Sequence, residues 1–436
     1  MSQPPNSNSA AFGSARWCSS KRAGWLASVA FGLVAALIAF RTIHECNVPG
    51  RPDLPFYGMQ DFRDTIYYPA RAFLAGVDPY DAVRFKDTYP IVGTLGPWAP
   101  AVLWLFVPFA MLSLPQAEIV FFLLNLALVP LVATLILRLC HVRQPTVVAS
   151  LGLGAVLLAT RQGHSTLFLG QNTLWLLVGV FAALYHARSR PWIAGLALAL
   201  AATKPTFGVP LAILMLGRAE WRPVAIGSGI LGVLSVPVVV RLVQNAGSLP
   251  TFLQSFSASS GHLMHMSVNS THTLRIDAPA LFERFTGAAP MGSSSTVLTF
   301  AIVAIGLVAV WRAGEHDDHD PLVDALICLT VLTCTYHQIY DSMIAALPLT
   351  ALALGTWRPE LPTLGRHTRP VLLGLLLVPA VNWLSSFHAI ERLGMRDSAR
   401  VAVESVNGVA MAAALLLCTG LALTGRPPRA VPRTSR

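Results

Sequence analysis

The sequence predicts an all-helical, polytopic membrane protein of about twelve transmembrane helices, and three observations predict it. Only 12% of the 436 residues are charged while 54% are hydrophobic; soluble domains carry roughly a quarter charged residues. The apolar residues gather into runs near the ~20-residue length that a bilayer core requires. Those runs lack the two-residue alternation of a transmembrane barrel strand.

Taken in order, residues 1–22 are rich in Ser, Asn, Pro and Gly and end in Lys21-Arg22, which reads as a disordered cytoplasmic tail. Trp25 to Phe40 is the first span. A cleaved signal peptide is the alternative, but the preceding tail is long and no small-residue cleavage pattern follows the run. Residues 42–95 form a long polar loop whose most polar stretch is 61–81, with Asp61, Asp64, Asp78 and Asp81 beside Arg63, Arg71, Tyr67, Tyr68 and Tyr80. Ile66, Ala70, Phe73 and Leu74 recur at helical spacing, which predicts a short amphipathic helix on the membrane interface. Gly76 and Pro79 stop it, and Asp78 and Asp81 read as turn residues around Pro79.

Further apolar runs lie at about 97–114, 117–139, 146–160, 167–184, 191–216 and 224–240. A second polar region, 241–295, precedes runs at about 295–311, 321–338, 342–356, 371–384 and 406–424. The basic, Pro-rich residues 425–436 read as a disordered tail, leaving one transmembrane domain over 23–424. Counted from a cytoplasmic N-terminus, both long loops, residues 336–341 and residues 385–405 share the outer side. The same count puts Arg138, Arg143, Arg188 and Arg190 outside, against the positive-inside tendency. A re-entrant segment near 146–170 would change that parity.

The net charge of +10 is scattered singly between apolar runs and at the two ends, which excludes a nucleic-acid stripe. The six cysteines lie mostly in or beside apolar runs and set no disulfide framework. His262, His265 and His272 have no zinc spacing, and residues 316–320 (His-Asp-Asp-His-Asp) read as a solvated turn ahead of a helix, so no metal and no cofactor is expected. No Walker A loop, nucleophile elbow or H-E-x-x-H pair occurs.

Four polar features remain. Asp61 and Asp64 are candidate general bases, although either also suits a helix cap. Lys204 interrupts a long apolar run and is followed by Pro205, which opens the helical ladder; a buried cation here suits a phosphate, unless it snorkels to the interface. Gln171 and Asn172 start a span beside Arg161 and His164, where a helix start suits an anion or sugar, or where Asn172 is simply a cap. Tyr336, His337, Tyr340 and Asp341 have the spacing to share one helical face, a mixture of hydroxyl, imidazole and carboxylate that suits a sugar, unless they form a plain loop between two spans.

The order of these motifs resembles glycosyltransferase family 87. The matching pieces are the Asp-rich first loop ending in Gly76-Val77-Asp78-Pro79-Tyr80, Leu124-Asn125-Leu126, Gly170-Gln171-Asn172, Lys204-Pro205, Arg218 to Arg222, and Asn269-Ser270, over about residues 25–360. That family comprises polyprenyl-phosphate-sugar-dependent enzymes of the GT-C class, mannosyltransferases and an arabinofuranosyltransferase among them. The resemblance implies a bacterial inner-membrane enzyme with its site on the periplasmic or exterior face. It would transfer a sugar, mannose foremost, from a polyprenyl-phosphate donor to a lipid or glycan acceptor with inversion. A first-loop carboxylate would be the base, with Asp61 slightly favoured over Asp64. Lys204, Arg161 and His164 would meet the donor phosphate. Tyr67, Tyr68, Gln171, Asn172, Asn269, Tyr336, His337, Tyr340 and Asp341 would contact sugar or acceptor. The Tyr336–Asp341 stretch departs from the mycobacterial members, which leaves sugar and acceptor open. The competing readings are a transporter or flippase of lipid-linked sugar, and a polymerase or ligase of surface glycan; the former would spread charges through several spans, the latter would carry its basic active loop late in the chain.

Overall fold

The computed structural model describes residues 21–46, 58–96, 98–265, 275–288, 292–313, 320–361 and 364–424. Both terminal tails and Asn269 lie outside the described residues. Within them the protein is helical, with two isolated β-bridges and no strand. Six helices are long and apolar enough to cross a membrane, and six further apolar helices are shorter.

The chain enters through α1 (Lys21–Cys46), then reaches the first loop, where α2 (Gln60–Phe62), a π-helical stretch (Arg63–Tyr67) and α3 (Tyr68–Leu74) form one continuous helical segment. Three of the four residues expected on the amphipathic face, Ile66, Ala70 and Phe73, are buried, while Leu74 is exposed. That face is covered by protein. Gly76 ends the segment in the left-handed region, Asp78 accepts from the Tyr80 amide, and Asp81 caps α4 (Ala82–Thr88).

The partner of that face corrects the sequence reading. The run at 97–114 is no span; it yields only α5 (Val102–Ala110), nine residues long. Arg71 donates to the Ala110 carbonyl and the Tyr67 hydroxyl to the Leu112 carbonyl, so α5 folds back on the first loop. Its Phe106 and Phe109 join Phe62 and Phe121 in a local aromatic core. One face of the segment thus serves protein packing, while Trp104 and Met111 stay exposed.

Consequently α6 (Leu114–Leu139) starts beside the first loop and its 26 residues carry the chain about 39 Å away. Helices α7 (Val147–Ala159) and α8 (Arg161–Leu169) return, since the Met59 amide donates to the Phe168 carbonyl. Helix α9 (Thr173–His186) leads away again. Arg138, Arg143, Arg188 and Arg190 therefore sit at the end opposite the first loop, not beside it as the parity count expected.

The run at 191–216 divides into α10 (Pro191–Ala202) and α11 (Pro205–Gly217). Proline disfavours helical geometry at the residue before it, and Lys204 is extended accordingly (φ −105°, ψ 103°). The two limbs form a hairpin: Arg188, before α10, reaches Glu220, after α11, at 3.6 Å. Gly208 lets the limbs meet, because a Cβ there would lie 2.2 Å from the Ala202 Cα. Lys204 is the tip of this hairpin rather than the midpoint of a span.

Helix α12 (Trp221–Ala246) returns to the first-loop end, where Asn245 bonds the Phe73 carbonyl and α13 (Leu249–His265) supplies Ser255 to Asp78. After α14 (Ala278–Thr286), α15 (Ser293–Ala313) leads away and α16 (Pro321–Cys334), capped by Asp320, packs beside it. A 3-10 stretch (Ile339–Ala345) then runs into α17 (Ala346–Leu354). The chain closes with α18 (Thr368–Val381), the short α19 (Phe387–Arg392) and α20 (Asp397–Thr424).

Candidate active site

Three turns converge at the first-loop end: the start of α2, the α8–α9 turn and the tip of the α10–α11 hairpin. The segment between α16 and α17 completes them. Gly170 makes the α8–α9 turn possible. Its φ is +69°, and a Cβ would lie 2.6 Å from the Phe62 Cβ, so only glycine lets the turn press on the first-loop helix. Gln171 then donates its Nε2 amide to Asp61 Oδ2. Tyr340 lies against the same amide.

Asp61 sits in the first turn of α2 and Asp64 in the following π-helical stretch, a distortion common at functional sites. Neither is the helix cap, which is Met59 in left-handed geometry. The two carboxylates have different surroundings. Asp64 is fully buried and accepts the Val92 and Gly93 amides at 3.2 and 2.6 Å, tying the far end of the loop to its helix. Asp61 is partly exposed and faces the converging turns. Burial among protein pushes the Asp61 carboxyl up to about 7; Gln171 opposes, Asp64 adds, Lys204 opposes and Asp341 adds. Burial raises Asp64 to about 6 against its two backbone donors.

Lys204 donates to both carboxylate oxygens of Asp341, at 3.0 and 2.8 Å. Trp98, Phe207 and Tyr340 present rings 5.2–5.9 Å from the ammonium, near the reach of cation–π attraction. Asp341 also meets His337 Nδ1 at 3.1 Å, the Thr173 hydroxyl at 3.3 Å and the Gln338 amide at 3.2 Å. The other His337 nitrogen faces the Thr206 carbonyl, in the first turn of α11. Residues 61, 171, 204, 337, 340 and 341 thus share one polar site.

Other candidates lie elsewhere or have other partners. Arg161 is buried, with its guanidinium held by Ser385 Oγ and by the Asn382 and Ser385 carbonyls, so it staples α8 to the segment after α18. His164 meets Arg41 of α1 at 2.7 Å and the Trp383 ring. The Tyr67 hydroxyl is taken by Leu112, and Tyr68 packs on Tyr67 and Tyr89. Asn172 stands at the cap position of α9, where its side chain makes no capping bond. Tyr336 accepts from Gln338 and lies beneath Arg275.

Sequence reasoning passed over what holds the 336–341 segment. Arg275 is buried and pairs with Asp277 at 2.7 Å and Glu283 at 2.8 Å. The Ile276 amide donates to the His337 carbonyl, and the His337 amide to Asp277. Asp277 ahead of Ala278-Pro279 is a legible helix start, and Asp277 does cap α14. Its second duty to residue 337 is not visible along the chain. Trp98 and Phe207 were likewise indistinguishable from core aromatics.

An apolar groove of about 350 Å³ opens next to the site between α1 and α6. Ala39, Ile43, Ile119, Phe122 and Leu123 line it with Thr42 and Glu118, and Met59, two residues before Asp61, is also on its wall.

The model of a family described as Glycosyltransferase family 87 matches residues 98–336, more than half of the 436-residue chain. The chain belongs to glycosyltransferase family 87. It is therefore a membrane glycosyltransferase, with a sugar donor, an acceptor and membrane lipids as its partners. The family match holds Trp98, Gln171, Asn172, Lys204 and Tyr336; it is narrower than the resemblance read over 25–360, and Asp61, Tyr340 and Asp341 lie outside it. No curated protein and no solved structure shows significant similarity to the chain.

Proposed function

We propose that this family 87 enzyme transfers a sugar, mannose foremost, from a polyprenyl-phosphate donor to a lipid or glycan acceptor with inversion at the anomeric carbon. The observation that carries the reading is one chain of contacts joining a carboxylate to an ammonium: Gln171 donates to Asp61, Tyr340 lies against Gln171, and the Lys204 ammonium stands 5.7 Å from the Tyr340 ring. Asp61 is the base. It removes the acceptor hydroxyl proton as that oxygen bonds to the anomeric carbon, and the bond from that carbon to the phosphate oxygen breaks. The lipid phosphate leaves carrying the electron pair, and Lys204 meets its charge. Asp341 takes two of the three ammonium donors, which leaves one for a phosphate oxygen. In this reading His337, Tyr340 and Gln171 orient sugar and acceptor, whereas Asp64 organises the loop. The groove between α1 and α6 suits the isoprenoid chain. Tyr67, Tyr68, Arg161 and His164 act by packing this end of the fold.

In this reading the six long and six shorter apolar helices make a twelve-pass GT-C bundle in a bacterial inner membrane. The first loop faces the periplasm or exterior, and the Arg-rich opposite end faces the cytoplasm, as positive-inside bias favours. The test is transfer of radiolabelled sugar from purified polyprenyl-phosphate-mannose, with Asp61→Asn and Asp64→Asn side by side. Asp61→Asn is expected to lose at least ~100-fold, in the range of general-base removal. Wild-type rates in both variants would remove the first-loop base altogether.

A further inference from the structure

At the end opposite the catalytic site lies a cavity of about 650 Å³ that the transfer reaction does not use. Two separate turns build its wall. Arg138, His141 and Arg143 come from the end of α6, and Tyr185, His186 and Arg190 from the end of α9 and the start of α10. No carboxylate lies on that wall. Among the described residues none of these three arginines has a carboxylate partner, whereas neighbouring Arg188 has Glu220.

Positive-inside bias explains arginines in these turns but not their convergence on one cavity, where like charges repel. Helix dipoles explain only part. Arg138 and His186 fall in the last turns of α6 and α9, where cations are favoured. Arg143 lies beyond α6, and Arg190 is the cap residue of α10, a position where the dipole disfavours a cation. The backbone also departs from preference here: His141 adopts φ +64°, a cap geometry usually given to glycine or asparagine. The Tyr185 ring lies 5.7 Å from the Arg138 guanidinium, and His186 Nδ1 is buried with no partner.

We infer that this cavity binds a phosphate group, presented by an anionic phospholipid. Planar guanidiniums converging without a counter-ion match phosphate oxygens. The lipid source follows from the surroundings. Trp192, two residues after Arg190, is 71% exposed, and Val147, four after Arg143, is 74% exposed. An exposed tryptophan beside basic side chains marks headgroup level, and basic pockets between helices at that level take lipid phosphates.

The experiment uses the full chain in phosphatidylcholine nanodiscs with and without phosphatidic acid, the retained lipid being counted by native mass spectrometry. A parallel arm measures equilibrium binding of radiolabelled inorganic phosphate in phosphatidylcholine alone. Wild type is expected to retain phosphatidic acid, and Arg143→Gln and Arg190→Gln each to weaken retention about tenfold or more. Arg312→Gln, an exposed arginine of the same end outside the cavity, is expected to leave retention unchanged. Binding of inorganic phosphate with the same arginine dependence, without lipid retention, would keep the phosphate site and reassign its source. Absence of both, or equal loss in Arg312→Gln, would overturn the inference.

Discussion

At the residue scale, Asp61 sets activity against stability. Its carboxyl is raised from 3.8 to about 7, so the fold favours the protonated form. That contribution is complete below about pH 4 and disappears as pH rises through about 7. The proposed role as base, however, requires the ionised form. Transfer rate should therefore rise through about pH 7 while thermal stability falls. Asp61→Asn should lose transfer yet melt higher than wild type above pH 7, by about 1–3 kcal/mol after discounting for its partial exposure. Pairing pH–rate profiles with pH–melting profiles checks both signs; a Tm difference that does not grow with pH would count against them.

The Lys204–Asp341 pair calls for a different test. Asp341→Asn leaves a buried ammonium without its counter-ion and should cost about 3–5 kcal/mol. Lys204→Met combined with Asp341→Leu removes both charges and should recover most of that stability. Transfer should remain absent in the double variant, and donor binding with it. Melting in detergent and donor titration separate the two effects; recovered transfer would make the pair purely structural.

Among the elements, the α8–α9 turn and the α10–α11 hairpin determine where functional groups stand. Gly170→Ala adds strain at φ +69° and a clash with Phe62, expected to cost about 1–3 kcal/mol. Because Gln171 follows directly, transfer should fall in Gly170→Ala even when the protein is assayed well below its melting temperature, which activity per folded molecule measures. These elements were unequally legible. Lys204-Pro205 announces a break, since proline constrains the residue before it; that the chain reverses there depends on Gly208 meeting Ala202, a contact between limbs. Asp78 and Asp81 declare their turns locally. By contrast, α5 reads as a span because apolar composition does not distinguish a phenylalanine facing lipid from one facing Phe62. Arg161 looked like an anion site because its partners, Asn382 and Ser385, lie more than two hundred residues on.

For the whole molecule, the misread α5 and the division of the run at 191–216 bear on sidedness. Removing α5 from the count of crossings puts Arg138 to Arg190 at the end opposite Asp61, and dividing 191–216 keeps the later segments in register. Membership of family 87 was legible from motif order, but the pairing of 204 with 341 and of 61 with 171 is a property of the closed bundle. Single cysteines at two exposed serines report the sides. In intact cells, an impermeant maleimide should label Ser257→Cys, on α13 at the catalytic end, and spare Ser189→Cys until the membrane is opened. The reverse pattern would invert the topology.

The hairpin also has a consequence for bilayer thickness. Its limbs have 12 and 13 residues, so its tip stands about 18–20 Å above their base. A bilayer core is about 30 Å thick. Under the proposed function, a lysine on so short a post would meet the donor phosphate below the usual headgroup plane, unless the lipid surface dips toward it. The enzyme would therefore thin the bilayer around its site, and each added acyl carbon would make that dip harder. Transfer measured in nanodiscs of increasing chain length should slow progressively, while the fold, held by its long helices, stays intact.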